Sequence, residues 1–235
     1  MERLDKILVS QNIGTRKEVQ KLIRQKTVTV NGEVITKPDF KVDVDDSVIT
    51  VSGKTLDYKN HVYIMMNKPQ GVVSATEDRE CQTVIDLVPK HLYRKGLFPA
   101  GRLDKDTEGL LIITDDGEFA HKMLAPKSGI YKKYYAEVDG EITEETVKAF
   151  EQGIEFADGT RCLPGKLEIK DKNSGFVEIC EGKFHQVKKM FLVCGLKVTF
   201  LKRISIGNLV LDSNLPIGKC RELEKTEQTA IFVVK

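Results

Sequence analysis

The 235-residue sequence predicts an α+β protein in two domains, residues 1–55 and 61–235. Three observations carry that reading. Helix and strand periodicities alternate tightly over residues 3–50, a polar stretch without periodicity follows at 52–60, and short apolar runs then alternate with helix-cap signals to the end. The apolar content of 40% suffices for an ordinary core.

In the first domain, Leu4, Ile7 and Leu8 have the i, i+3, i+4 spacing of a helix, which Gly14 is expected to end. Thr15 with Glu18 three residues later predicts a capping box for a second helix, whose buried stripe is Val19, Leu22 and Ile23. Arg16, Lys17, Lys21 and Arg24 fall largely on its other face. Val28, Val30, an Asn31-Gly32 turn and Val34 predict a hairpin, with a further strand at Val48–Val51 and a linker from Ser52 to Asn60.

The larger domain opens with the apolar run Val62–Met66, read as a buried strand that the turn Asn67-Lys68-Pro69-Gln70-Gly71 stops. Leu110–Thr114 is a second strand, and Asp115 or Asp116 caps a helix carrying Phe119, Met123 and Leu124 until Pro126. Tyr134–Val138 returns as a strand. Thr143, with Glu144 and Glu145 in the first turn, starts a helix burying Val147 and Phe150. Strands are expected near Lys166–Ile169 and Gly175–Cys180. A helix with Val187, Met190, Phe191 and Cys194 on one face follows, and Gly195 sits at its C-terminal cap. Short strands near Val198–Leu201, Leu209–Leu211 and Ile231–Val234 complete the pattern.

Composition narrows the function classes. No apolar run approaches the ~20 residues that span a bilayer, and charged Glu2, Arg3, Asp5 and Lys6 stand where a signal peptide has its apolar block. A cytoplasmic protein without a membrane partner is expected. Cys81, Cys162, Cys180, Cys194 and Cys220 are odd in number and form no Cys-x-x-Cys pair, so reduced thiols are expected. The four histidines are scattered and no phosphate-binding glycine loop is present, so neither metal nor cofactor is expected.

The net charge of +2 conceals a polarised distribution. Residues 1–26 hold seven bases against three acids, whereas residues 27–60 hold four bases against six acids. From Gly182 to Leu211 there are six bases and no acid, and from Phe119 to Ala136 four lysines and no acid. Such clustering points to local contact with a polyanion.

The most informative stretch is Gly101-Arg102-Leu103-Asp104-Lys105-Asp106-Thr107-Glu108-Gly109-Leu110-Leu111, a charged loop set between apolar segments. In an extended segment Arg102 and Asp104 point to the same side. An ordinary solvated turn, with Arg102 paired to Asp106 or Glu108, is the plain alternative. Three other segments accompany the string: Ile130-Tyr131-Lys132-Lys133-Tyr134-Tyr135-Ala136, Glu181 through Phe191, and Arg203 to Leu223.

Together these segments resemble the rRNA pseudouridine synthases of the RsuA type. Residues 3–50, with their Arg-Leu-Asp-Lys opening and Thr-Arg-Lys at the second helix, resemble the small RNA-binding domain named after ribosomal protein S-four; a solvated basic helix is the competing reading. The first resemblance implies a larger domain with a mostly antiparallel sheet and flanking helices. It also implies isomerisation of uridine to pseudouridine by base flipping, with no metal or cofactor.

The resemblance places the catalytic carboxylate on Asp104 and a cation against it on Lys188. Arg102 would occupy the space that the flipped base leaves. Lys132 and Tyr134 match a Lys-x-Tyr segment whose Tyr stacks on the target base and is a candidate proton acceptor; Tyr131 and Tyr135 leave the register open, and a core aromatic is the alternative. Lys183, His185 and Gln186 belong to the segment Glu181 through Phe191, in which Lys183 and Lys189 replace expected arginines. Lys68 and Pro69 match a Lys-Pro-x-Gly turn. Arg3, Lys6, Arg16, Lys17, Lys21 and Arg24 would contact RNA. Small-subunit (16S) rRNA, free or in a partly assembled subunit, is the expected partner. The alternatives are a large-subunit rRNA target, a noncatalytic RNA-binding assembly factor, and a phosphoesterase with Mg²⁺ between Asp104, Asp106 and Glu108.

Overall fold

A computed structural model describes residues 1–233, in two compact units: Met1–Val62 with Tyr93–Gly96, and Tyr63–Leu92 with the chain from Leu97 onward. In the first unit, β1 (Glu2–Arg3) leads into α1 (Leu4–Ser10), and α2 is Arg16–Arg24. Leu4, Ile7 and Leu8 are fully buried against Val19 and Ile23. Gly14 does not end α1. The helix stops at Ser10, and Asn12 takes the left-handed turn at φ 58°, a conformation its short polar side chain tolerates. Gly14 instead lies under Glu18, whose carboxylate accepts from the Thr15 N–H at 2.7 Å and so completes the cap of α2.

Strands β2 (Val28–Val30), β3 (Glu33–Val34), β5 (Ile49–Val51) and β6 (Lys54–Thr55) form a sheet in the order β3-β2-β5-β6, while β4 (Lys41–Val42) pairs with β1. β6 falls in the stretch read as a linker. Its hairpin is closed by Ser52 and Gly53, both at positive φ, and two residues are too few to show a period.

The second unit is a mostly antiparallel sheet flanked by helices. Its strands are β7 (Tyr63–Lys68), β8 (Phe98–Ala100), β9 (Glu108–Thr114), β10 (Lys132–Val138), β11 (Lys166–Asp171), β12 (Ser174–Ile179), β13 (Val198–Ile206), β14 (Leu209–Val210) and β15 (Cys220–Glu222). Its helices are α3 (Gly117–Leu124), α4 (Glu144–Gln152), α5 (Gln186–Val193) and α6 (Lys225–Ala230). The order is β11-β12-β10-β13-β9-β7-β15, with β8 on β9 and β14 on β13. The apolar runs of β7 and β9 are central strands buried on both faces: Ile64–Met66 and Leu110–Ile113 have no exposed surface.

β9 and β13 form the one parallel pair in this sheet among the described residues. There Gly109 has φ 105°, and a Cβ on it would lie 2.2 Å from the Arg203 carbonyl oxygen. Only glycine fits so close a crossing, which anchors the charged loop directly to β13.

The strand expected at Ile231–Val234 is absent from Ile231 to Val233; Val234 lies outside the described residues. A capping box between Glu224 and Glu227 commits the preceding chain to α6, and Ile231 then drops, fully buried, into the main core with Met65, Leu110 and Ile206, with Phe232 packed against it. β13 also runs further than expected, to Ile206. Among the described residues no helix is long and apolar enough to cross a membrane.

Candidate active site

The charged loop joins β8 to β9, and its backbone is held from below by a buried lysine. Lys68, the last residue of β7, is wholly buried, and its ammonium donates to the carbonyl oxygens of Pro69, Asp104 and Thr107, each at 3.0 Å. Burial pushes its pKa down to about 8, against the opposing pull of Asp104, Asp106 and Glu108. Leu103 is buried, its N–H donates to the Ser74 hydroxyl at 3.1 Å, and that hydroxyl donates back to the Leu103 carbonyl at 2.9 Å. Pinned on both sides, the loop presents the Asp104 side chain outward, 24% exposed.

The opposing wall is the entry to α5. His185 takes a left-handed φ of 53° at the helix N-cap. Glu181 is buried, and one of its oxygens accepts from the Gln186 side-chain amide and from the Leu163 N–H, both at 2.8 Å; the other holds the Lys183 ammonium. Gln186 in turn accepts from the Lys183 N–H at 2.9 Å. With the turn so locked, the first helical turn delivers Lys188, whose ammonium lies 2.9 Å from Asp104 Oδ2 and also binds Asp106. Burial works against that charge, yet hydrogen bonds to Asp106 and Asp104 outweigh it and hold the Lys188 pKa above its ordinary value. The Asp106 carboxyl is likewise held low: burial opposes its charge and the Lys188 hydrogen bond prevails. His185 Nε2 is 3.6 Å from the other oxygen of Asp104.

β10 supplies the floor. Its alternation puts Lys132, Tyr134, Ala136 and Val138 on the buried face. Tyr134 therefore lines the cleft, while Tyr131 is exposed and Tyr135 packs on the other face with Phe176 and Phe200. Lys132 is buried, donates to the Cys180 carbonyl at 3.2 Å, and has its pKa pushed down to about 8, chiefly by burial and further by Arg203. Arg203 is buried too; its Nε donates to the Leu110 carbonyl at 2.7 Å, its guanidinium lies 6.0 Å from the Tyr134 ring centre, and one terminal nitrogen has no partner.

A cleft of about 690 Å³ runs between these walls. Arg102, Lys105, Lys132, Lys183 and Arg203 face it against two acids, Asp104 and Glu181, which makes it an anion-attracting groove with a single accessible carboxylate. Arg102 is exposed and makes no ion pair with Asp106 or Glu108. Asp104 and Asp106 converge on an ammonium, and among the described residues no three His, Cys, Asp or Glu side chains are grouped to hold a metal ion.

Six residues singled out in the sequence thus line this cleft, Arg102, Asp104, Lys132, Tyr134, Lys183 and His185, while Gln186 and Lys188 line a smaller hollow that shares Arg102, Asp104, Tyr134, Lys183 and His185 with it. Arg3, Lys6, Arg16, Lys17, Lys21 and Arg24 belong to the first unit. There Arg3 is held by the buried Asp5 at 2.9 Å, and the others are exposed. Lys183 and Lys132 are engaged with Glu181 and Cys180, not free surface cations. Sequence reading assigned no role to Lys68, Glu181 or Arg203. The Lys68-Pro69 turn was the available signal for the first; the other two lay inside recognised segments as unremarkable charges.

Comparison with known proteins identifies the relatives of both units. Residues 62–192 match the model of the RNA pseudouridylate synthase family, and residues 2–48 match the S4 domain. The chain is 38% identical over 232 residues to the ribosomal small subunit pseudouridine synthase A of Vibrio cholerae, covering 98% of this chain and 99% of that relative. It is 36% identical over 233 residues to the ribosomal large subunit pseudouridine synthase B of Bacillus subtilis, covering 97% and 94%. A crystal structure of a pseudouridylate synthase superposes with a TM-score of 0.69 at 34% identity, covering 98% of this chain and all of that one.

Proposed function

The chain belongs to the RNA pseudouridylate synthase family, and from that premise we propose that it isomerises one uridine of rRNA, with small-subunit rRNA the favoured substrate. Residues 1–55 gather the RNA and residues 61–235 carry out the chemistry. The observation that carries the reading is the Asp104 carboxylate, bound at 2.9 Å by Lys188 in a cationic cleft that also holds Arg102 and Tyr134.

The reaction breaks the ribose C1′ bond to N1 of uracil and forms a bond from C1′ to C5; the C5 proton leaves and N1 regains one, so electrons and atoms balance without an oxidant or reductant. Asp104 is the group that meets the sugar–base junction, and Lys188, 2.9 Å away, holds its carboxylate in position. Arg102, exposed and unpaired, fills the stack vacated by the flipped base, where a planar cation offsets part of a flipping cost of a few kcal/mol. Tyr134, which lines the cleft, offers its ring to the uracil, and its hydroxyl is the candidate acceptor of the C5 proton.

Small- and large-subunit relatives stand at 38% and 36% identity, too close to separate the targets, so both RNAs belong in the test. Purified enzyme is incubated with small- and large-subunit rRNA and the pseudouridines are mapped. One new site in small-subunit rRNA is expected; a site only in large-subunit rRNA replaces the target, and none in either removes the rRNA reading. Chelator-insensitive turnover separates this chemistry from a metal-dependent phosphoesterase.

A further inference from the structure

At 69% exposure, Phe184 is the most exposed aromatic side chain among the large apolar residues described. It stands on the rim of the same cleft as Asp104. Its neighbours hold it in water instead of drawing it inward. On one side the His185 imidazole stacks on it, ring centres 3.8 Å apart and planes 20° from parallel. The Lys189 ammonium lies 5.4 Å from its centre and 5.2 Å from that of buried Phe156, tying the arrangement to the body of the unit. His185 itself reaches to 3.6 Å of Asp104.

A phenyl ring exposed yet ordered meets a flat apolar partner with little further loss of freedom. Around it the cleft is cationic, so the flat partner comes attached to a polyanion. Single-stranded RNA has that combination, since splayed bases stack on aromatic side chains while phosphates follow the basic groups. The target uracil is committed to the cleft interior, where Asp104 and Tyr134 lie, so the base that reaches the rim is its neighbour.

We propose that Phe184 is a stacking platform for the nucleobase flanking the target uridine, held in place by His185 and Lys189. This rests on the cleft being the site of uridine isomerisation. The enzyme thereby selects a uridine whose neighbour is unpaired and splayed, whatever that neighbour's hydrogen-bonding edge.

The test uses an rRNA fragment containing the mapped site, with an abasic nucleotide placed on either side of the target in separate substrates. Wild-type enzyme is expected to lose on the order of tenfold to a hundredfold in kcat/KM on one of the two. Phe184→Leu should lose as much on the intact RNA and nothing more on that abasic RNA, whereas Phe184→Tyr retains wild-type rates on both. Should the Phe184→Leu loss be absent on intact RNA, or multiply with the abasic loss at both positions, the platform is overturned while the isomerase reading stands. If wild-type enzyme makes no pseudouridine, that reading fails instead. Quenching of 2-aminopurine at the flanking position, present on binding to wild type and missing with Phe184→Leu, still decides the platform. Unchanged quenching in the variant refutes it.

Discussion

Lys188 divides one ammonium between Asp104 and Asp106, and the two carboxylates are far from equivalent: Asp104 is 24% exposed, Asp106 71%. Asp104→Asn is expected to abolish pseudouridine formation while RNA affinity stays within about twofold, since an amide keeps the shape but not the charge. Asp106→Asn leaves Lys188 its partner on Asp104 and should retain most of the turnover; equal losses in both variants would dissolve the distinction. Lys132 supports a second prediction. Its proton leaves the folded protein near pH 8 but the unfolded chain only near the ordinary lysine value of 10.5, so between those limits the unfolded state binds more protons and stability rises with pH. Lys132→Met removes that rise, worth at most about 3 kcal/mol because each tenfold difference in proton affinity between the two states is worth ~1.4 kcal/mol. Urea unfolding at pH 7.5 and 10 reads it, and parallel pH dependences in the two proteins would refute the buried charge. At this scale the loop carrying Asp104 was legible because charge between apolar runs stands out. The burial of Lys132 and Arg203 was not: a lysine two residues from a tyrosine reads the same on a solvated strand, and only the sheet neighbours decide.

Elements whose apolar runs reached four residues could be read directly, β7 and β9 above all, because a strand buried on both faces shows as an unbroken run. β8 and β15, three residues each, gave no period, and the apolar C-terminal residues imitated a strand because the cap of α6 upstream uses two glutamates, not Ser, Thr, Asp or Asn. The element most exposed to a single change is the parallel contact of β9 with β13. Gly109→Ala places a Cβ 2.2 Å from a backbone oxygen that cannot swing aside, at a φ of 105° that side chains avoid. A loss of at least about 2 kcal/mol is expected, with activity falling as the Asp104 loop loses its anchor. Gly117→Ala is the control: nothing lies within 4 Å, the residue begins α3, and stability should hold or improve by a few tenths to about 1 kcal/mol. Comparable losses in both would mean the crossing is not the cause.

Across the whole molecule a net charge of +2 averages away the property that matters, the gathering of bases on particular surfaces. The return of Tyr93–Gly96 to the first unit was equally hidden, since Asn12 donates there to the Tyr93 backbone carbonyl and Arg94 donates to that of Lys59, and carbonyls leave no mark in a sequence. On α2 the outcome is plain: Arg16, Lys17, Lys21 and Arg24 are exposed, while Val19 and Ile23 face the core. Two roles compete for that face, a phosphate track or mere solvation, and salt separates them. Each phosphate neutralised releases a counterion, so the logarithm of affinity falls linearly with that of salt, by about one unit of slope per contact. Replacing all four residues with glutamine in the full chain leaves the buried face of α2 and the Thr15–Glu18 cap untouched. A phosphate track then loses as many units of slope as contacts it made, and KM rises while turnover at saturating RNA holds. A solvated face leaves the slope as it was, and RNA capture would have to be assigned to the bases around the cleft alone.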